Sequence, residues 1–378
     1  MLPQERRSAR VQVFWDDRVL NHDTGTALHE AAAPPWFGAT LPHTEGPERL
    51  ATMVQVLRTG PVAERLEWRD GRLATVAELV RVHDAAYVES VAEACREGGT
   101  WVTGTTRLSA GSWEPLLAAA GTALAAGEAV LSQGATRAYA LVRPPGHHAQ
   151  LAQADGYCFF NHAALVADLA RRSGAERVAV VDWDVHHGNG TQDVFYERDD
   201  VLTVSLHMNH GAWGPSHPQT GQPDEVGAGA GLGHNVNVPL PLGAGDAAYL
   251  RAVDEIVRPL LEVYRPDLIV CASGQDAAAF DPNGRHNVSM QGFRGIGSRM
   301  RALADELCGG RLVAVQEGGY NPSYAACCLL ATLEGLEGVP VEHQTPDPLA
   351  YVPDQLLGVD EALAAVRHAM QPYWPSLA

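Results

Sequence analysis

The sequence lacks the cysteine spacing of a thiolate metal site or a redox pair. None of its six cysteines (Cys95, Cys158, Cys271, Cys308, Cys327 and Cys328) falls in a C-x-x-C pair. Several lie in apolar segments and read as buried thiols, which fits a reducing, cytoplasmic setting. Positive charge is also scarce: 27 Lys and Arg stand against 45 Asp and Glu, a net charge of −18. No basic stripe emerges, so nucleic acid is not an expected partner. No apolar run reads as long enough to span a bilayer, so no membrane is expected either. The N-terminal MLPQERRSAR is not followed by the apolar stretch of a secretion signal. No low-complexity linker, charge block or repeat divides the chain, and residues 1–378 are expected to form a single domain.

What is there is an alternation. Short apolar, β-branched runs at 11–15, 137–142, 177–181, 201–205, 235–239, 268–271 and 311–315 read as strands. Longer helical patterns cover 115–132, 162–172, 247–264, 293–307 and 324–336. Continuous apolar strands alternating with helices predict an α/β fold whose parallel sheet is covered on both faces. In such folds ligands bind beyond the carboxyl ends of the strands. Four predicted strands run into polar loops there: RAYALV into RPPGHH, RVAVV into DWDVHHGNG, LIVC into ASGQDAAAFDP, and RLVAV into QEGGY. The chemistry of the chain therefore gathers at one sheet edge.

Asp184 and His186 stand two residues apart, and in extended backbone such side chains point the same way. Asp276, after another strand, supplies a third donor. One imidazole with carboxylates suits zinc better than a hard cation, and three protein ligands leave room for water and substrate, the pattern of a catalytic site. His147 and His148 follow a proline-rich turn and are candidates for taking and returning a proton. Asp182 and Asn189 could fix their orientation. Tyr320, after two glycines, could donate a hydrogen bond to a developing oxyanion.

Together, RPPGHHA (143–149), GYCFFNHAA (156–164), VDWDVHHGNGTQDVFY (181–196), VSLH (204–207), NVPLPLGAGDAAYL (237–250), SGQDAAAFDP (273–282) and VQEGGYNP (315–322) resemble the zinc histone deacetylase family. The resemblance is to its class II and bacterial deacetylase-like amidohydrolase branch, which includes acetylpolyamine amidohydrolases. It covers most of residues 139–335, and more loosely VHDAAYVESV (82–91) and PERL (47–50). It implies an arginase/deacetylase-like three-layer fold with a mostly parallel sheet of about eight strands, and one deacetylase domain over 1–378. It implies one Zn2+ per chain on Asp184, His186 and Asp276. It assigns acid–base work to His147, backed by Asp182, and His148, near Asn189, and it has Tyr320 polarise an acetyl carbonyl. It further implies K+ held by Asp182, Asp184, His186, Ser205 and Leu206, and a substrate channel lined by Gly156, Tyr157 and Trp213. Relatives often assemble, so a homo-oligomer is expected.

Three departures bear on substrate. Gln275 stands where the family usually has an aromatic residue. Asn283 stands where some polyamine-selective relatives carry an acid. The stretch 98–109, with Thr103 near its centre, lacks the carboxylate with which histone-type members grip substrate backbone. The expected substrate is thus a small acetylated amine, with an acetyl-lysine protein or peptide as the alternative. An arginase-like ureohydrolase is disfavoured because D-V-H-H-G-N-G lacks carboxylates for a second metal. A non-catalytic acetyl-binding protein is disfavoured because every catalytic group is present.

Overall fold

Among the described residues ten strands form in chain order: β1 (Gln12–Trp15), β2 (Thr26–Ala27), β3 (Leu41–Pro42), β4 (Glu67–Asp70), β5 (Arg137–Leu141), β6 (Val178–Asp182), β7 (Val201–Met208), β8 (Asn235–Leu240), β9 (Leu268–Ser273) and β10 (Leu312–Gln316). The structure, a computed structural model, describes residues 10–38, 41–211, 220–349, 354 and 356–377. Eight of the strands make one sheet in the order β4-β1-β5-β10-β9-β6-β7-β8, and every pairing in it is parallel. β2 and β3 make a separate antiparallel pair.

The strands read as unbroken apolar runs because both faces are covered. Tyr139, Ala179, Ile269, Cys271, Leu312 and Ala314 pack into one core. Their neighbours Ala138, Val178, Val180, Val270 and Val313 pack into another. That alternation is the period of two of a strand facing helices on both sides, and it gives three layers.

The helical patterns form where expected, within a few residues: Trp113–Ser132, His162–Arg172, Met290–Cys308 and Pro322–Glu337. The pattern at 247–264 is instead interrupted. Asp246–Ala252 and Arg258–Tyr264 are α-helical, and Val253–Val257 between them is a wider π-helical turn. Trp113–Ser132 corrects the reading that no segment could span a bilayer. By length and composition this helix could. It is 78% buried within the fold, under the second core.

Register aligns the strand ends that matter. Asp182 pairs with Ala272 and Ser205, and Gln316 pairs with Ser273. The loops leaving β5, β6, β9 and β10 therefore open at one edge. Helix caps fix two of the following segments. The Asn161 side chain accepts the N–H of Ala164, and the Asn321 side chain that of Tyr324, with Pro322 opening the second helix.

Candidate active site

β6 ends at Asp182, and Asp184 and His186 lie in the bends that follow, not in extended backbone. The strand-parity argument for their convergence is corrected accordingly. Their side chains converge through two Asx turns: Asp182 Oδ1 accepts the N–H of Asp184 at 2.9 Å, and Asp184 Oδ1 accepts the N–H of His186 at 3.0 Å. Asp276 arrives from the loop after β9. The donor atoms of Asp184, His186 and Asp276 all lie within 4.8 Å of one another, and all three residues are buried. His186 Nδ1 faces Asp184 Oδ1 at 3.1 Å and Asp276 Oδ2 at 3.0 Å. Asp276 Oδ2 nonetheless makes no hydrogen bond of acceptable geometry. Two carboxylates and an imidazole aimed at one point suit zinc. A Cβ at Gly274 would sit 2.3 Å from Asp184 Oδ2, and one at Gly318 would sit 2.2 Å from Asp276 Oδ2, so bare backbone frames the donors. Burial and the Asp184 charge push Asp276 up to about 7. Burial works against the charge on His186, but the neighbouring Asp184 and Asp276 carboxylates raise it to about 10.

The histidine pair occupies the turn after β5, where the Arg143–Pro144 peptide is cis. His147 Nδ1 lies 2.8 Å from Asp182 Oδ2, and His148 Nδ1 lies 2.6 Å from Asn189 Oδ1, the partners expected from sequence. The two rings stand 4.0 Å apart, and His147 Nε2 lies 3.6 Å from Asp184 Oδ1. Burial lowers the His147 imidazole, but Asp184 and Asp182 outweigh it and hold it well above the usual histidine range.

Two further parts of this scaffold rest on long-range partners that the sequence does not display. Glu317, fully buried, accepts the N–H of Gly146 at 2.6 Å and of His147 at 3.1 Å through Oε2, so the turn after β10 holds the histidine turn. Glu45 Oε1 accepts from Arg143 at 2.9 Å and Arg49 at 2.8 Å, all three buried. Arg49 also donates to the carbonyls of Gly319 at 2.8 Å and Glu317 at 2.5 Å. Its guanidinium lies over the Tyr320 ring, 4.7 Å from the centroid. Burial keeps the Tyr320 phenol well above its ordinary pKa, and therefore a hydrogen-bond donor.

Tyr320, His148 and His186 line a cavity of about 230 Å3 together with Gly156, Tyr157 and Asn283. Gly156 has φ +53°, and a Cβ there would lie 2.2 Å from His148 Cδ2. Only glycine lets the wall pass that ring. The Tyr157 ring stands edge-on to Tyr320 at 5.5 Å. Trp213 lies outside the described residues. Ser205, paired with Asp182 across β6 and β7, has its hydroxyl 2.9 Å from His207 Nδ1, and Leu206 is fully buried beside it.

The departures find structural accounts. Gln275 joins a buried polar network: it accepts from Gln316 at 2.6 Å and donates to Ser273 Oγ at 3.1 Å, and Gln316 accepts from Tyr139 at 2.8 Å. Thr103 donates to Asp155 at 2.9 Å. Asn283 donates to the Tyr157 hydroxyl at 3.0 Å, and that hydroxyl donates to Glu30. Glu30 therefore puts a carboxylate on the cavity wall from the N-terminal region, where the sequence offered no motif.

The histone deacetylase domain family matches residues 43–336. Histone deacetylase 8 of Arabidopsis thaliana is 47% identical over 97% of this chain and 98% of its own length. A histone deacetylase-like amidohydrolase of Pseudomonas aeruginosa is 41% identical over 90% of this chain and 89% of its own. The crystal structure of the HDA15 HD domain superposes with a TM-score of 0.83 at 32% identity, covering 98% of this chain and 97% of that one. With the sheet order and the converging Asp–His–Asp donors, these matches place the chain in the zinc-dependent histone deacetylase family, as a hydrolase.

Proposed function

We propose that this chain, as a single domain over 1–378, hydrolyses the N-acetyl amide of a small acetylated amine to acetate and free amine. The observation that carries this reading is the convergence on one cavity of Tyr320, the His147–His148 pair and the donors Asp184, His186 and Asp276. Zinc held by those donors supplies Lewis acidity and a water of lowered pKa. His148, held by Asn189 and lining the cavity, accepts a proton at Nε2 and returns one to the departing nitrogen. His147, held by Asp182 with its ring 4.0 Å from that of His148, shares the acid–base work. The Tyr320 hydroxyl donates to the acetyl oxygen as negative charge grows there. Gly156 and Tyr157 wall the acyl-amine stem. Asp182, Asp184, His186, Ser205 and Leu206, all buried, are the proposed K+ site.

The absence of a carboxylate from 98–109 favours a small amine over a protein tail. The test compares kcat/KM for acetylputrescine-like compounds with that for an acetyl-lysine peptide on zinc-loaded protein. A clear preference for the small amine is expected, and a clear preference for the peptide overturns the substrate reading. A single cluster of three metal donors is found among the described residues, which favours this reading over a two-metal ureohydrolase.

A further inference from the structure

Among the described residues that line the cavity, two side chains other than histidine carry formal charge, Glu30 and Arg285. They reach it from separate segments. Glu30 sits in a tight turn closed by reciprocal hydrogen bonds between Leu28 and Ala31, at 2.8 and 3.2 Å. The backbone carbonyl of Glu30 is 2.9 Å from His43 Nε2, which anchors the turn to the buried interior. Its carboxylate accepts the Tyr157 hydroxyl, which also accepts from Asn283. Arg285 lies two residues beyond Asn283 and donates to the carbonyls of Pro282 at 2.9 Å and Gly284 at 2.6 Å. The Glu30–Tyr157–Asn283 bridge thus ties the acidic turn to the loop that carries the guanidinium.

The two charges do not pair with each other. Glu30 spends one hydrogen bond on a phenol and keeps acceptor capacity on a carboxylate that can take several. Arg285 uses one nitrogen on backbone carbonyls and keeps donors at the exposed rim. Opposite charges held apart on one small mouth complement a ligand bearing both signs. A peptide-linked acetyl-lysine presents neutral amides there, and an acetylated diamine presents an ammonium alone.

Resting on the deacetylase reading above, we propose that the mouth recognises a zwitterion, Glu30 holding an ammonium and Arg285 a carboxylate. The substrate class is then the free amino acid with an acetylated side-chain amine. The stem runs past Tyr157 to Tyr320 and the acetyl group lies at the metal donors. Glu30 and Arg285 are specificity-determining residues and take no part in bond breaking.

The test measures acetate release from three compounds that share one acetamide stem. These are free Nε-acetyl-lysine, N-acetylcadaverine, which keeps the ammonium and lacks the carboxylate, and Nε-acetyl-lysine blocked as amides at both ends. The wild-type holoenzyme is expected to give the highest kcat/KM for the free amino acid. Glu30→Gln should lower the ratio of the free amino acid to the blocked compound about fivefold, the scale of a partly exposed ion pair. Arg285→Gln should lower the ratio of the free amino acid to N-acetylcadaverine by a similar factor. Equal turnover of blocked and free compounds by the wild type overturns the proposal, and so do ratios unmoved by both substitutions. Neither result touches the deacetylase reading, which fails instead if none of the three releases acetate.

Discussion

Gly318 donates its backbone N–H to Asp184 Oδ2 at 2.8 Å, so the turn that presents Tyr320 is fastened to a metal-donor carboxylate 134 residues away. A Cβ at Gly318 would meet Asp276 Oδ2 at 2.2 Å and Asp184 Oδ2 at 2.7 Å. Gly318→Ala is therefore expected to spread the donors and leave well under half the wild-type zinc after desalting, measured by elemental analysis. Full zinc occupancy in a folded Gly318→Ala protein would contradict this geometry.

In the proposed reaction Tyr320 donates to an oxygen that gains charge only as the amide is attacked. Tyr320→Phe should lower kcat by about 100-fold or more and leave KM within about threefold. The ring stays between Arg49 and Tyr157, so packing is preserved. A kcat within a factor of two of wild type would remove Tyr320 from the chemistry.

His148 depends on Asn189 for its orientation. Asn189→Ala removes the acceptor 2.6 Å from His148 Nδ1, and kcat is expected to fall about tenfold or more, the usual scale for losing an orienting partner. Restoring the acceptor with Asn189→Asp should recover part of that loss. Unchanged steady-state rates in Asn189→Ala would show that His148 is held by other means.

How much of this was legible beforehand follows from what each residue depends on. Asp184, His186 and Asp276 could be found because strand ends in a parallel sheet share one edge, and the edge follows from the alternation of apolar runs and helices. The reason given for Asp184 and His186 facing together did not survive, because hydrogen-bonded turns, not strand pleating, aim them. Glu317 was quoted within QEGGY, but its grip on Gly146 and His147 depends on β10 lying beside β5, an ordering that sequence does not display. Glu30 was hidden for another reason. It sits in an irregular turn with no periodicity, and its place at the cavity depends on His43 and on Tyr157, whose own φ of +69° no pattern reveals.

Several buried histidines cost stability in acid, His83 and His162 among them. His83 accepts the Asn161 N–H at Nε2 and donates to the Gln150 carbonyl through Nδ1, both at 2.9 Å, so it is held neutral. His162 donates to the Pro144 carbonyl at 3.0 Å, and its buried Nδ1 has no partner. Burial lowers each from 6.5 to about 4. Between those values the unfolded chain binds protons that the native chain does not, so stability is full above pH 6.5 and falls as pH drops toward 4. The loss is roughly 3 kcal/mol for each histidine. Denaturant unfolding at pH 7 and pH 4.5 should show it, and His162→Gln should flatten the slope. A slope unchanged by that substitution would locate the acid sensitivity elsewhere.

The proposed amide hydrolysis needs one metal, held by Asp184, His186 and Asp276. Its most direct test is acetate release from an N-acetylated amine by chelator-treated protein titrated with zinc. The account predicts no release without metal, full recovery at one zinc per chain, and none at any zinc concentration in Asp276→Ala. Release that persists after chelation, or that needs two metals per chain, would contradict it.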